Sequence, residues 1–437
     1  MPDTFFVLYV IVDAENLREE KMKEEIEQQI NNEARPRKVE LKGTMSWTET
    51  AGKSFTIGKN CMKGIISVTR PNVVIDGSDG EIMIDINDCD DSDKCLFYIH
   101  PSARNVTFKN LSIKINIKNR ENTTRVVSVF YNTAFGAKFI NCHLEVIADK
   151  QVNIIGIYNN GNLDTHMETR ADNLVISDCF IKAECVSERI QNECVVYGLY
   201  NNLANSISVQ NNFIYVINKG NGANQKAIGV YTNGRFGRFV GNNIKANGTH
   251  NIGKLKEAAH VTGFLNDGLY TIITSNNIIG EWAGKCVGLE TNGEFAMVNS
   301  NKILATHTIC GRSIINRGNK SNIEANVLTS TSRNARLLEL DAENCIINEN
   351  IMEVLMAPEE CRSGCGIYAV SDHATGNIII DNIILNTSDC GIITRNDGGT
   401  VKDNKIAAYP YTVLVTTSDN YRILSKLDES NIVSIYS

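Results

Sequence analysis

AIGVYTNGRF (Ala227–Phe236), VTGFLNDGLY (Val261–Tyr270), CVGLETNGEF (Cys286–Phe295) and RSIINRGNKS (Arg312–Ser321) are four renderings of one phrase. Each is followed a little further on by Asn and an apolar pair or triplet: NNIKA from Asn242, NNIIG from Asn276, NKILA from Asn301 and NVLTS from Asn326. Self-similarity at a period of about 20 to 50 residues is the mark of a solenoid. The repeated unit holds strands and turns and leaves no room for a helix. The stretch therefore reads as a β-helix, one coil to each phrase.

Outward from this stretch the same rhythm covers most of the chain. The Asn that ends one strand and opens the next recurs as Asn110, Asn141, Asn212, Asn242, Asn277, Asn301, Asn326, Asn350, Asn382 and Asn404, with Asp178 in the gap. Asn suits such corners because it tolerates left-handed backbone angles and its amide can bond the amide of the next coil. These are structural positions, and one coil to each gives an all-β parallel solenoid of about 11 to 12 coils. The longest intervals, 149–191, 218–225, 249–258 and 357–364, are read as insertions overhanging one face and lining a binding site. Upstream, Leu17, Met22, Ile26 and Ile30 recur at helical spacing on a charged background. That segment, 14–33, is read as a helix capping the open end of the coil, where unpaired backbone would otherwise invite other chains. The expected plan is an N-terminal strand and capping helix over 1–40 and one β-helix over 41–437.

Composition narrows the function. The 437 residues are 42% apolar, enough for a long continuous core, and the net charge of −7 excludes a phosphate-neutralising nucleic-acid surface. The run FFVLYVIV (Phe5–Val12) is too short to span a bilayer and lacks the flanks of a secretory signal, so it reads as a buried strand. The 13 cysteines show no paired framework; Cys142, Cys179, Cys286, Cys345 and Cys390 sit beside apolar residues and read as buried thiols. These features point to a cytoplasmic protein with neither membrane nor nucleic acid as partner. Cys361 and Cys365 lack a second pair at zinc spacing, and the acidic run at 87–94 lacks the spacing of a calcium loop. No metal or cofactor is expected.

The DGSDG turn at Asp76, the NVTFKNLSI coil at Asn105 and the Asn corners resemble the right-handed parallel β-helix of pectate-lyase-like proteins. The resemblance implies the fold, in a superfamily of polysaccharide lyases, hydrolases, epimerases and phage tailspikes. The segment from Gly311 to Met352 is similar to the inulin fructotransferase and difructose-anhydride hydrolase family. That likeness implies a homotrimer acting on fructosyl linkages. The NTD, DD, GHG and RIK signatures of polygalacturonase-like enzymes are missing in their proper company.

In a strand alternate side chains point out. With Val230, Phe264, Leu289, Ile314 and Leu338 inside, Tyr231, Leu265, Glu290, Ile315 and Glu339 face outward, joined by Tyr158 and Tyr200 of earlier coils. Two residues on, Asn233, Asp267, Asn292, Arg317 and Asp341 form a second outward column. Strict alternation also turns Gly156, Gly198, Gly229, Gly263 and Gly288 outward, as a trough flanked by aromatic rings that suit the apolar faces of sugars. Glycoside cleavage needs two carboxyl groups. Glu290 is read as the acid/base, with Asp267 or Glu339 as partner and as the source of like-charge repulsion that keeps its proton. Tyr158, Tyr200, Tyr231, Asn233, Asn292, Arg317 and Asp341 are the expected substrate contacts. The reading is a carbohydrate-active enzyme cleaving or rearranging glycosidic bonds of a neutral oligosaccharide. The alternatives are a non-catalytic glycan-binding or tailspike-like structural β-helix and, third, a polysaccharide lyase.

Overall fold

A computed structural model describes residues 10–13, 24, 26–28, 30–31, 38–49, 62–87, 93–118, 125–150, 152–161, 171–186, 193–220, 225–248, 260–356, 363–395, 398–408, 411–417, 420–422 and 432–433. The chain divides into two compact units, Met1–Gly220 and Asn221–Ser437. Each is built of parallel strands stacked coil on coil.

In the first unit Val126–Asn132, Lys138–Ile140 and His143–Ala148 make one coil, and Asn153–Asn160, Val175–Ser177 and Phe180–Cys185 the next. Each strand pairs in parallel with its counterpart one coil away. Parallel connections of this kind are right-handed, and the fold is a right-handed parallel β-helix. The core holds the stacked rings of Phe97 with Phe130 and of Phe108 with Phe139, centroids 5.2 and 5.3 Å apart. Ile26 and Ile30, in the helical residues among 24–31, are buried. Beside them the Ser67 amide donates to Glu27 Oε1 (2.6 Å) and the Thr69 amide to Asn31 Oδ1 (2.8 Å). The rest of the expected helix, residues 5–9 of the apolar run, Cys361, most of the acidic run and, of the expected insertions, 162–170, 187–191, 221–224, 249–258 and 357–362 lie outside the described residues, while the remainder of 149–191 is largely the strands of a coil.

In the second unit the expected core column is present. Val230, Phe264, Leu289, Ile314 and Leu338 are register partners in turn and are fully buried. The glycine trough is not. Gly229, Gly263 and Gly288 are buried, and a Cβ on Gly263 would lie 2.6 Å from both the Gly288 carbonyl oxygen and Ile278 Cγ2. Each of these strands takes two successive inward steps, Gly then Val, Phe or Leu, where strict alternation allows one. The backbone there runs so close to the facing Ile side chains that only glycine fits. Gly263→Ala is therefore expected to destabilise the protein by about 1 to 3 kcal/mol through overpacking. An unchanged denaturation midpoint would contradict the inward assignment.

The corners divide between two residues the work expected of one. A ladder of buried amides runs Asn242–Asn276–Asn301–Asn326–Asn350–Asn382–Asn404, each Nδ2 donating to the next Oδ1 at 2.9 to 3.0 Å. The left-handed angle falls on the residue before it: Ser275 (φ 57), Ser300 (56), Ala325 (54) and Glu349 (55). Asn277 is thus one residue past the ladder. Asn110 (φ 55) and Asn141 (51) are left-handed residues of the first unit, where Cys142 and Cys179 take ladder positions and the Cys142 amide meets Cys179 Sγ at 3.4 Å.

Cys95, Cys142, Cys179, Cys286, Cys345, Cys365 and Cys390 are buried, and burial pushes the Cys286 thiol up to about 12. Cys95, Cys345 and Cys365 are raised by burial as well, and thiols shifted in this way stay protonated and inert. All 13 cysteines are expected to react as thiols when the protein is denatured without reductant. Recovery of only a few would overturn that expectation and, with it, the expectation of a cytoplasmic location.

Candidate functional site

The outward positions after the core column carry the polar face of the second unit. Glu290 lies in strand Asn277–Thr291, Ile315 in Lys302–Asn316 and Glu339 in Asn334–Leu340, as successive register partners. Leu265 precedes them and Tyr231 precedes Leu265. Ile315 is only 2% exposed although it stands in the outward column, so a covered apolar residue separates the two glutamates.

Three members of the second column are joined by hydrogen bonds. Asn292 Nδ2 donates to Asp267 Oδ1 at 2.7 Å, and an Arg317 guanidinium nitrogen donates to Asn292 Oδ1 at 3.2 Å. The same nitrogen reaches back across the columns to Glu290 Oε1. The like-charge crowding expected at Glu290 is therefore absent: its carboxylate faces a guanidinium. Arg317 starts one coil further on, and its length lets it lean over the first column, which register alone does not reveal. Asp341 follows on the next coil without a side-chain bond to Arg317: its amide donates to Asn316 O at 2.8 Å, and its Oδ1 is a buried acceptor with no partner among the described residues. Tyr231 and Asn233 are half-buried on the coil before Leu265 and Asp267.

Glu339 is held by two arginines absent from the sequence reading. Arg312 Nε donates to Glu339 Oε2 at 2.7 Å, and a terminal nitrogen of Arg336 donates to the same oxygen at 2.9 Å. Arg336 also lies 3.5 Å over the ring of Tyr368, the register partner of Glu339 on the next coil. Burial alone would raise the Glu339 pKa. The Arg312 hydrogen bond and the charges of both arginines outweigh it, and the carboxyl titrates below the ordinary glutamate range. Strict alternation from Ile314 and Leu338 would have turned Arg312 and Arg336 inward. The double inward step at Ser313–Ile314 and Leu337–Leu338 turns them out beside Glu339.

Tyr158 and Tyr200 belong to the first unit. They are register partners with rings 5.0 Å apart at 85°, and they line a cavity of about 290 Å³ together with Val126, Asn153, Ile155, Glu193, Val195 and Tyr197. Among the described residues no group of three or more His, Cys, Asp or Glu side chains could hold a metal ion, and no helix is long and apolar enough to cross a membrane.

No family model matches the chain, and no curated protein is similar to it. Solved structures are. The Dettilon tailspike protein is 13% identical over 90% of this chain, with a TM-score of 0.43, and the chain spans 64% of its length. A DFA-IIIase from Arthrobacter chlorophenolicus A6, in complex with DFA-III, is 10% identical over 95% of this chain and 94% of its own, with a TM-score of 0.45. The A-module of a mannuronan C-5 epimerase from Azotobacter vinelandii is 12% identical over 95% of this chain and 96% of its own, with a TM-score of 0.42.

Proposed function

We propose that the protein is a carbohydrate-active β-helix whose second unit binds a neutral oligosaccharide and cleaves or rearranges a glycosidic bond. The observation that carries the reading is the charge arrangement: Glu339 held ionised between Arg312 and Arg336 on the same outward column as Glu290. Their backbones lie two coils, roughly 9 to 10 Å, apart. Glu339 is the carboxylate that acts as base or nucleophile, and Glu290 is the acid/base. The column Asp267, Asn292, Arg317 and Asp341 offers both acceptors and donors, which suits sugar hydroxyls because each of these both gives and takes a hydrogen bond. A hydroxyl that draws Arg317 away from Glu290 leaves that carboxylate able to exchange a proton with the glycosidic oxygen.

One observation favours a second reading, a glycan-binding module without turnover: both glutamates are ion-paired with arginines of the same face. Incubation with a panel of neutral and uronic oligosaccharides, followed by mass spectrometry of the products, separates the cases. Shortened or rearranged neutral sugars support the enzyme. Saturable binding with every sugar left intact supports the module, and unsaturated uronate products would replace both readings with a lyase.

A further inference from the structure

The tyrosines of the first unit change their packing where the cavity lies. Tyr98, Tyr131, Tyr158 and Tyr200 are register partners in turn. Tyr98 and Tyr131 stack nearly flat, 5.8 Å apart at 16°, as Phe180 and Phe213 do at 3°. A flat ladder hides every ring face against its neighbour. At Tyr158 the ladder breaks, because Tyr131–Tyr158 meet at 90° and Tyr158–Tyr200 at 85°. A fifth tyrosine, Tyr197, is turned out by the double inward step Gly198–Leu199 and stands 4.8 Å from Tyr200 at 71°. Tyr158 and Tyr200 thus meet their neighbours at steep angles and not flat.

The cavity bounded by Tyr158, Tyr197 and Tyr200 measures about 290 Å³, at the small end of ligand sites, which start near ~300 Å³. That volume suits one sugar ring. Ile155, Val195 and Val126 give it an apolar floor, and the Asn153 side-chain oxygen accepts the Val195 amide at 2.8 Å, which fixes that amide at the edge. Burial pushes the Tyr158 phenol above its usual range, so it stays a neutral hydroxyl. None of the eight lining residues is basic, and Glu193 adds a carboxylate. An anionic ligand would find no counter-charge there.

We propose that this cavity is a binding site of its own for a single neutral sugar ring, which stacks on the tyrosine faces. The assignment rests on the lining of the first unit and not on the chemistry proposed for Glu290 and Glu339. Calorimetric titration of the full-length protein with glucose, galactose, fructose, sucrose and maltose, and with galacturonate as the anionic arm, tests it. At least one neutral sugar should saturate the protein while galacturonate does not. Tyr197→Ala should weaken that binding at least about fivefold through lost stacking, Tyr197→Phe should retain most of it, and Val195→Trp should abolish it by filling the cavity. Glu290→Gln should bind as the wild type does, so loss of turnover and loss of this site are read separately. The assignment is overturned if no neutral sugar saturates the protein, if galacturonate binds as well, or if Tyr197→Ala and Val195→Trp both keep every binding event of the wild type. Should Tyr197→Ala melt early, Val195→Trp decides alone.

Discussion

Exchanging Glu290 for Gln is expected to lower turnover at least about a hundredfold, the scale of lost general acid–base catalysis. The exchange keeps the shape of the side chain and removes its charge. The ion pair with Arg317 that it breaks lies at the surface, with Arg317 38% and Glu290 20% exposed along the side chain. Such pairs contribute about 1 kcal/mol or less, so the melting temperature should hardly move. Glu339→Gln should be as damaging to turnover, and it brings a pH signature. The folded-state pKa of Glu339 is depressed. Its ionised form, and the stability its arginines lend, are therefore complete above the unfolded value of ~4.3 and are lost only as pH falls through the lower folded value. The acid limb of the wild-type rate should accordingly lie below the ordinary glutamate range. Wild-type turnover in Glu290→Gln would remove Glu290 from the mechanism, and an acid limb near neutrality would remove Glu339.

The largest effect on stability is expected at the amide ladder. Asn326 is fully buried. Its Oδ1 accepts the backbone amide and Nδ2 of Asn301, and its Nδ2 donates to Val298 O at 2.8 Å and Asn350 Oδ1 at 3.0 Å. Leu at this position fills a similar volume and strands partners on both adjoining coils. Each stranded buried group costs about 1 to 3 kcal/mol, so Asn326→Leu should destabilise by about 3 to 5 kcal/mol, near the upper end for single substitutions. Chemical denaturation measures it. A loss under about 1 kcal/mol would mean that the ladder follows from the coil and does little to hold it.

The coil, its register and its core column are legible in the sequence because period and alternation are local properties. Val230 to Leu338 could be placed from spacing alone, and with them Glu290 and Glu339, since alternation holds on the C-terminal side of that column. On its N-terminal side alternation fails. The chain steps inward twice at Gly263–Phe264, Ser313–Ile314 and Leu337–Leu338, and nothing in the pattern of apolar residues announces a second inward glycine or serine. That one irregularity accounts for the glycine trough that the fold does not contain. It also hid Arg312 and Arg336, which clamp Glu339, and Tyr197, which walls the cavity of the first unit. Arg317 was placed in the correct column, but its bond to Glu290 depends on side-chain reach, which register does not encode. The Asn corners misled by one residue because both Asn and its predecessor occur at each turn, and only three-dimensional packing separates the left-handed residue from the buried amide.

The most direct test of a carbohydrate-active carboxylate pair is chromatographic analysis of neutral oligosaccharides incubated side by side with the wild type and with the double variant Glu290→Gln/Glu339→Gln, both verified as folded. The proposal predicts new shorter or rearranged sugars with the wild type and an unaltered panel with the double variant. Products of equal yield from both proteins, or none from the wild type, would contradict it.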